Sequence, residues 1–296
     1  RLLFASVAGS RSFNLNLPDS DSDLFGVYVL HSNEVISSIP AHSKFRIITS
    51  HDPDYTLYEV HTFCELILKG NPKVIEPLFQ THLCHWEKGS AWEKLIKNRK
   101  NFLNSTVISQ YKGFASSQLH DSSRGKGKTT KKYYHALRLL REAIRMTNFY
   151  GPAVWMEGEE REYLMSIRHN KIDAKILDKE IEENFNYLKE KLSDEKFLQE
   201  INKGSTADDI KNFLHPWLIN LRRETLPRIE NVEKEVISHP LFTLANNVLQ
   251  ENGIKGEILC CCLSGSDLHF NKNPGDPQNN KIDYFAVYAA TTDDCI

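Results

Sequence analysis

Three aspartates, Asp19, Asp21 and Asp23, stand at alternate positions in "LPDSDSDLFGVYV", where an apolar run is about to begin. Aspartate is a poor strand former, and like charges on one face repel. A bound cation would offset that cost. Residues two apart on a strand share a face, so Asp21 and Asp23 are expected to project together. Paired carboxylates on a rigid strand suit Mg²⁺, which takes oxygen ligands at about 2.0–2.1 Å and often bridges to substrate phosphates. Upstream stands Gly9-Ser10. Glycine before a helix start lets a phosphate approach the backbone, the helix start supplies donors, and Ser10 adds a hydroxyl. Two-metal phosphate chemistry needs a further carboxylate from a neighbouring strand.

The elements that must position these groups are readable in outline. "RLLFASVAG" (1–9) reads as a buried strand, "GSRSFN" as the opening of a short helix and "LPDS" as a turn. "DLFGVYVL" (23–30) is a second strand, and "KFRIIT" (44–49) and "DYTLYEV" (54–60) are two more. From Glu59 the spacing of Val60, Phe63, Cys64, Ile67 and Leu68 is that of one helix face, ended by Lys69-Gly70-Asn71-Pro72. Further helices are expected over "KVIEPLFQTHL", "AWEKLIKNRKNFL", "STVISQYKGFASSQL", 131–151 and 173–192, with one or two over 207–226. The stretch 120–132 has almost no apolar content and reads as a basic loop.

The whole-chain totals exclude several classes. With 296 residues, a prior of about 150 per domain suggests two domains. A formal net charge of −2 gives no global field for nucleic acid, so any polyanion site must come from local clustering. No uncharged apolar run approaches the roughly 20 residues of a membrane span, so no membrane partner is expected. The opening "RLLFASVAGSRSF" leads straight into the motif and is expected to begin inside a domain. Three of the six cysteines are adjacent, Cys260, Cys261 and Cys262, which fits no disulfide framework and suggests a reducing, intracellular and cytoplasmic setting. "THLCHW" holds His82, Cys84 and His85, but no second ligand cluster accompanies them, so ordinary packing is expected there.

The chain also echoes itself. Residues 257–288 repeat the order found in 1–29: an apolar strand, Gly-Ser, a polar stretch with Pro, then an Asp leading into an aromatic strand. Gly265-Ser266 matches Gly9-Ser10, and Asp283 matches Asp23. Lys281 stands where the second copy would need the equivalent of Asp21. A helix is expected over 239–253. This describes a tandem chain whose second copy has lost its paired acids.

"GSRSF…PDSDSDLFGVYV" resembles the nucleotidyltransferase superfamily that includes DNA polymerase beta. It is closest to the YcgL-type branch with the RNA-ligase-associated RlaP proteins. The resemblance rests on Gly9-Ser10-Arg11, Pro18, Ser20-Asp21-Ser22-Asp23 and Gly26-Val27, then "YEVHTFCELILKGNPKVIEPLF" (58–79) and "YYHALRLLREA" (133–143). It covers about residues 1–170. With the element pattern and the internal echo, it gives an expected α+β fold: a small mixed-sheet domain (1–81), a long helical region (82–235) and the start of a degenerate second nucleotidyltransferase-like domain (236–296). It implies Asp21 and Asp23 as Mg²⁺ or Mn²⁺ ligands and Gly9 and Ser10 as triphosphate contacts. Asp54, which opens the next strand, is the chosen third carboxylate and metal ligand, with Asp52 and Glu59 as alternatives. The implied reaction moves a nucleoside monophosphate from an NTP, ATP being the first candidate, to a hydroxyl, with release of pyrophosphate. The acceptor is RNA, protein or a small molecule.

Other residues carry two readings each. Arg11 meets a phosphate or is solvated at the helix start. Glu76 approaches the metals or is a helix-surface acid, the latter being the safer expectation. His135 and Arg138 share a helix face, with Glu142 one turn on; they match the branch motif and either reach the nucleotide or belong to a helical core. "RGKGKTT" (124–130) lacks the first glycine and the preceding strand of a P-loop and is not one. The bases Arg124, Lys126, Lys128, Lys131 and Lys132 are solvated, or hold triphosphate or an RNA backbone. Two further functions stay open: a non-catalytic nucleotide-binding scaffold, and an RNA-binding module using the helical region and loop 120–132.

Overall fold

The computed structural model describes residues 1–30, 32, 35, 46–120 and 129–225, and the backbone of 256–264 and 283–290. Two compact units divide the chain, Arg1–Thr225 and Leu226–Ile296. The first unit carries a five-stranded mixed sheet and its helices, with no division at 81.

β1 (Leu2–Val7) leads into the short α1 (Gly9–Ser12), followed by β2 (Leu24–Tyr28), β3 (Ile47–His51) and β4 (Asp54–Glu59). With β5 (Cys84–His85), the strand order is β3-β4-β2-β1-β5. β2 and β4 run parallel, and the other neighbours are antiparallel. β2 is buried through Phe25, Gly26 and Val27, while the edge strand β3 alternates between exposed and half-buried residues. β2 begins at Leu24, so Asp21 and Asp23 lie in the segment that feeds the strand and not on the strand itself. The strand expected from 44 is described from Ile47.

α2 (Val60–Leu68) starts directly after β4, its first turn capped by Glu59, whose carboxylate accepts from the His61 N–H at 2.8 Å. α3 (Pro72–Phe79) has Asn71 as its cap and Pro72 at its first position, where the missing N–H costs nothing. α4 (Ala91–Asn98) continues into a 3₁₀ turn, Arg99–Phe102. Trp92 of α4 stacks on Phe4 of β1 at 4.3 Å and meets Phe63 of α2 at 5.4 Å, forming the core against this face of the sheet.

The helical layer is α5 (Ser105–His120), α6 (Thr130–Thr147), α7 (Gly158–Arg168), α8 (Ala174–Lys191), α9 (Glu195–Ile201) and α10 (Ala207–Glu224). α6 packs against α5, α7 and α8. α7, α9 and β5 are additions to the expected elements. The expected one or two helices over 207–226 form one helix. Pro216 lies inside it, and burial of Leu214, Trp217 and Leu218 carries the helix through that break in its hydrogen bonding. α10 is tied to the sheet by a buried ion pair, Arg222 to Glu59 at 2.7 Å, and by the Ser32 hydroxyl donating to the Arg222 carbonyl at 2.6 Å.

In the second unit, β6 (Gly256–Ser264) pairs antiparallel with β7 (Asp283–Ala290). The ladder runs Ile258↔Tyr288, Cys260↔Val287, Cys261↔Ala286, Cys262↔Phe285, Leu263↔Tyr284, with a register slip between Ile258 and Cys260. β1 and β2 pair as Leu2↔Tyr28, Phe4↔Val27, Ala5↔Gly26, Ser6↔Phe25, Val7↔Leu24, with their slip between Leu2 and Phe4. Position by position, the two ladders and their slips coincide. Gly265, Ser266, Lys281 and the helix expected over 239–253 lie outside the described residues.

Candidate active site

The site forms where β2 and β4 begin. Leu24 lies opposite Tyr55, which puts Asp23 beside Asp54 at the same end of two adjacent strands, about 4.8 Å apart across the sheet. The Ala8 N–H donates to the Asp23 carbonyl at 2.7 Å and brings the end of β1 to the same place. Gly9 follows with φ +64°, and a Cβ there would run into Oδ2 of Asp23. Glycine at position 9 therefore serves both the left-handed backbone and the close approach of the carboxylate.

Asp23 titrates above the usual aspartate range. Burial is the largest cause, followed by the charges of Asp54 and then Asp21, with Lys131 at the start of α6 acting the other way. The three acids chosen from the sequence thus share one field. Asp21 is exposed, however, and does not line the cleft. That cleft has a volume of about 360 Å³, and Gly9, Asp23, Asp54 and Arg138 are among its walls. Ser10, Arg11 and His135 are not.

Arg11 is spent on the main chain. Its Nη2 donates to the Ser20 carbonyl at 2.7 Å and its Nε to the Asp21 carbonyl at 3.1 Å. It holds the acidic segment through these carbonyls and is not among the residues that line the cleft. The segment after α1 is held from the other side. Arg161 Nε donates to the Asn14 carbonyl at 2.8 Å, Arg168 donates to the Leu15 carbonyl, and the Met156 N–H donates to the Phe13 carbonyl at 3.1 Å.

Glu76 is not a surface acid. It is buried and pairs with Arg138 at 2.6 Å, while the Arg138 guanidinium lies 3.7 Å from the Phe13 ring centroid. Burial works against the charge on Arg138, but Glu76 outweighs it and the guanidinium stays protonated. His135 hydrogen-bonds the Tyr134 hydroxyl at 2.9 Å. Burial, then Arg138, Lys131 and Arg168, push its pKa down to about 3, so it is neutral at pH 7. Of the alternative third acids, Glu59 is committed to Arg222 and to capping α2, and Asp52 sits exposed in the β3–β4 turn.

The cleft also holds Ser12, Lys73 and Gln80, which the sequence did not single out. Lys73 is exposed near the start of α3. Gln80 is buried, and its Oε1 lacks a partner. Helical periodicity marks α3 as amphipathic but does not say which of its polar residues meets the sheet. Lys131 lies outside the cleft lining, yet its charge reaches Asp23; the remaining bases of loop 120–132 from Arg124 to Lys128 lie outside the described residues. Cys84 and His85 form the short β5, and His82 stacks on Trp155 at 4.5 Å.

Asp23 and Asp54 supply adjacent hard oxygen donors whose mutual repulsion is already felt by Asp23. That chemistry fits Mg²⁺ or Mn²⁺. Among the described residues, no three His, Cys, Asp or Glu side chains are gathered closely enough to hold a metal ion.

Residues 1–205 match the family model described as "RlaP: RNA repair pathway DNA polymerase beta family". The chain belongs to the RlaP family. Membership puts the cleft within a polymerase beta-like nucleotidyltransferase family and covers all of the site residues. Among solved structures, the nucleotidyltransferase-like protein from Exiguobacterium sibiricum 255-15 is similar at 13% identity, covering 98% of this chain and 93% of its own, with a TM-score of 0.26. Nothing passes from it to this RlaP member at that level of likeness. No curated protein matches the chain.

Proposed function

We propose that this RlaP protein transfers a nucleoside monophosphate from an NTP, with ATP as the first candidate, to a hydroxyl of an RNA acceptor. The acceptor oxygen bonds to the α-phosphorus, the bond to the β-phosphate oxygen breaks, and pyrophosphate leaves. The observation that carries this reading is the Asp23 carboxylate lodged against Gly9 beside Asp54. RNA as acceptor is supported by the family's description.

Asp23 and Asp54 would hold the divalent cation, with Asp21 adding its field from the approach segment. Mg²⁺ or Mn²⁺, when bound, neutralises phosphate charge and acidifies the attacking hydroxyl. Gly9 leaves room for the Asp23 carboxylate at the cleft wall. Lys73 and Lys131 offer positive charge to the triphosphate from two sides. Arg138, locked by Glu76 and Phe13, presents a fixed guanidinium that needs no reorganisation during transfer. Arg11 keeps the acidic segment in place through its carbonyls.

The test is pyrophosphate release from each NTP with Mn²⁺, in the presence and absence of RNA. Release is expected, falling roughly 100-fold or more in Asp23→Asn and Asp54→Asn. A second reading, nucleotide binding without transfer, is favoured by the exposed position of Asp21 outside the cleft. Nucleotide binding that is unchanged in both variants, with no pyrophosphate released, would establish it instead.

A further inference from the structure

α6 ends in a turn that is costly to build. Phe149 adopts φ +62°, a conformation that helix ends usually give to glycine or asparagine. For a bulky aromatic residue it is a true outlier. Phe149 and Tyr150 are also left 50% and 60% exposed. The turn is nonetheless firmly held. The Phe149 N–H donates to the Met146 carbonyl at 3.0 Å and the Tyr150 N–H to the Arg145 carbonyl at 3.3 Å. Gly151 lies so close to Phe79 that a Cβ would collide with the ring. Packing fixes the main chain and turns the two rings of Phe149 and Tyr150 outward.

Tyr150 borders a groove of about 520 Å³ that Trp155 also lines. Trp155 is half-buried and stacked on the exposed ring of His82. Arg145 lies in the same groove, its guanidinium 5.3 Å from the Tyr150 ring centroid. Its Nε donates to the Gly151 carbonyl at 2.9 Å, and it makes no ion pair among the described residues. Of the acids of the groove, Glu160 is paired with Arg141, Glu142 accepts from the Ala153 N–H, and the exposed Glu157 accepts from the neutral Trp155 Nε1 and keeps its charge. Beyond Phe149, Lys191 and Lys196 line the next hollow, with Asp194 occupied as the cap of α9 and Glu200 as a further acid. Val154, which is buried, lines the candidate active-site cleft, while Ala153 and Trp155 line the groove, so the segment that carries them stands between the two.

We propose that Tyr150, Trp155 and Phe149, with Arg145 beside them, form the platform on which a single-stranded RNA acceptor stacks, across the segment 153–156 from the cleft. This rests on the reading of the chain as a transferase with an RNA acceptor. Exposed rings accept any base face, and a cation beside them neutralises the phosphates between bases. Phe149 meets the Phe197 ring at 6.4 Å, yet half of it and more than half of Tyr150 stay in solvent, leaving ring area on which a strand can stack.

The experiment is fluorescence anisotropy of the 296-residue chain with a labelled single-stranded RNA of about 12 nucleotides. Single-stranded RNA is expected to bind more tightly than duplex of the same sequence. Tyr150→Ala and Trp155→Ala are expected to weaken it roughly tenfold each, while Tyr150→Phe leaves it unchanged. Quenching of Trp fluorescence by RNA should be lost in Trp155→Ala. Circular dichroism checks that the variants fold. Affinity within twofold of the parent in both alanine variants, equal affinity for duplex, or no RNA binding at all overturns the proposal. So does a dimer in sedimentation that Tyr150→Ala dissolves without changing RNA affinity, which would assign the ridge to a second copy. Ring-dependent RNA binding without pyrophosphate release keeps the platform and removes the transferase reading. Release to another acceptor without ring-dependent binding does the reverse.

Discussion

Asp23 carries a free-energy cost in the folded chain. Its carboxyl titrates above the ordinary aspartate value because burial, Asp54 and Asp21 all oppose its charge. The sign follows from linkage. The penalty is absent where the group is protonated in both states, grows as pH rises through the unfolded value of 3.8, and is fully present above the folded value. Asp23→Asn is therefore expected to raise the Tm of the metal-free chain at pH 7, with no gain at pH 3, measured by thermal unfolding in chelator. A lower Tm at pH 7 would mean that the carboxylate is stabilising where it stands. The same variant is expected to lose transfer, so stability and activity move in opposite directions. The sequence singled out Gly9, Asp23 and Asp54, and the structure gathers all three along one cleft. The part played by Arg11 was not legible there. Its partners are main-chain carbonyls, which leave no trace in side-chain type.

At the scale of elements, α3 and α6 meet through Glu76 and Arg138, both buried. Each residue carried two readings at the level of sequence, and periodicity alone could not show that they face one another. Removing one partner strands the other without solvent. Glu76→Ala is expected to destabilise the chain by about 3–5 kcal/mol in urea unfolding, while the double change Glu76→Met/Arg138→Met returns most of that loss. If the single change costs under about 1 kcal/mol, the pair is solvated and the cleft floor is wetter than its burial indicates. The four longer strands of the first unit and its long helices were legible from alternation, caps and spacing; the strand order, β5 and the helices α7 and α9 were not, because neither pairing partners nor short elements leave a periodic signal. Nor was the starting point of β2, since Arg11 holds the residues before Leu24 in a loop that alternation alone reads as strand.

At the scale of the molecule, the family match ends at residue 205, but the first compact unit runs to Thr225. α10 lies in the difference, and with it Arg222, the buried partner of Glu59. A fragment of residues 1–225 is expected to keep the unfolding transition of the first unit. A fragment ending at 205 is expected to lose roughly 3–5 kcal/mol from the unpaired Glu59 alone, besides the apolar face of α10. Calorimetry of the two fragments decides this, and equal transitions would show that α10 is dispensable. In the second unit, the ladder of β6 and β7 repeats that of β1 and β2, slip included. Sequence could show the matching order of residues, but only backbone pairing shows the shared slip.

The bend at Gly9 has an evolutionary corollary. Every missense change of a glycine codon adds a β-carbon, and here that atom would compete for the space of an acid's oxygen. One nucleotide substitution would thus displace the acid while sparing the sheet around it, a short route by which a lineage with the proposed activity would give rise to inert relatives.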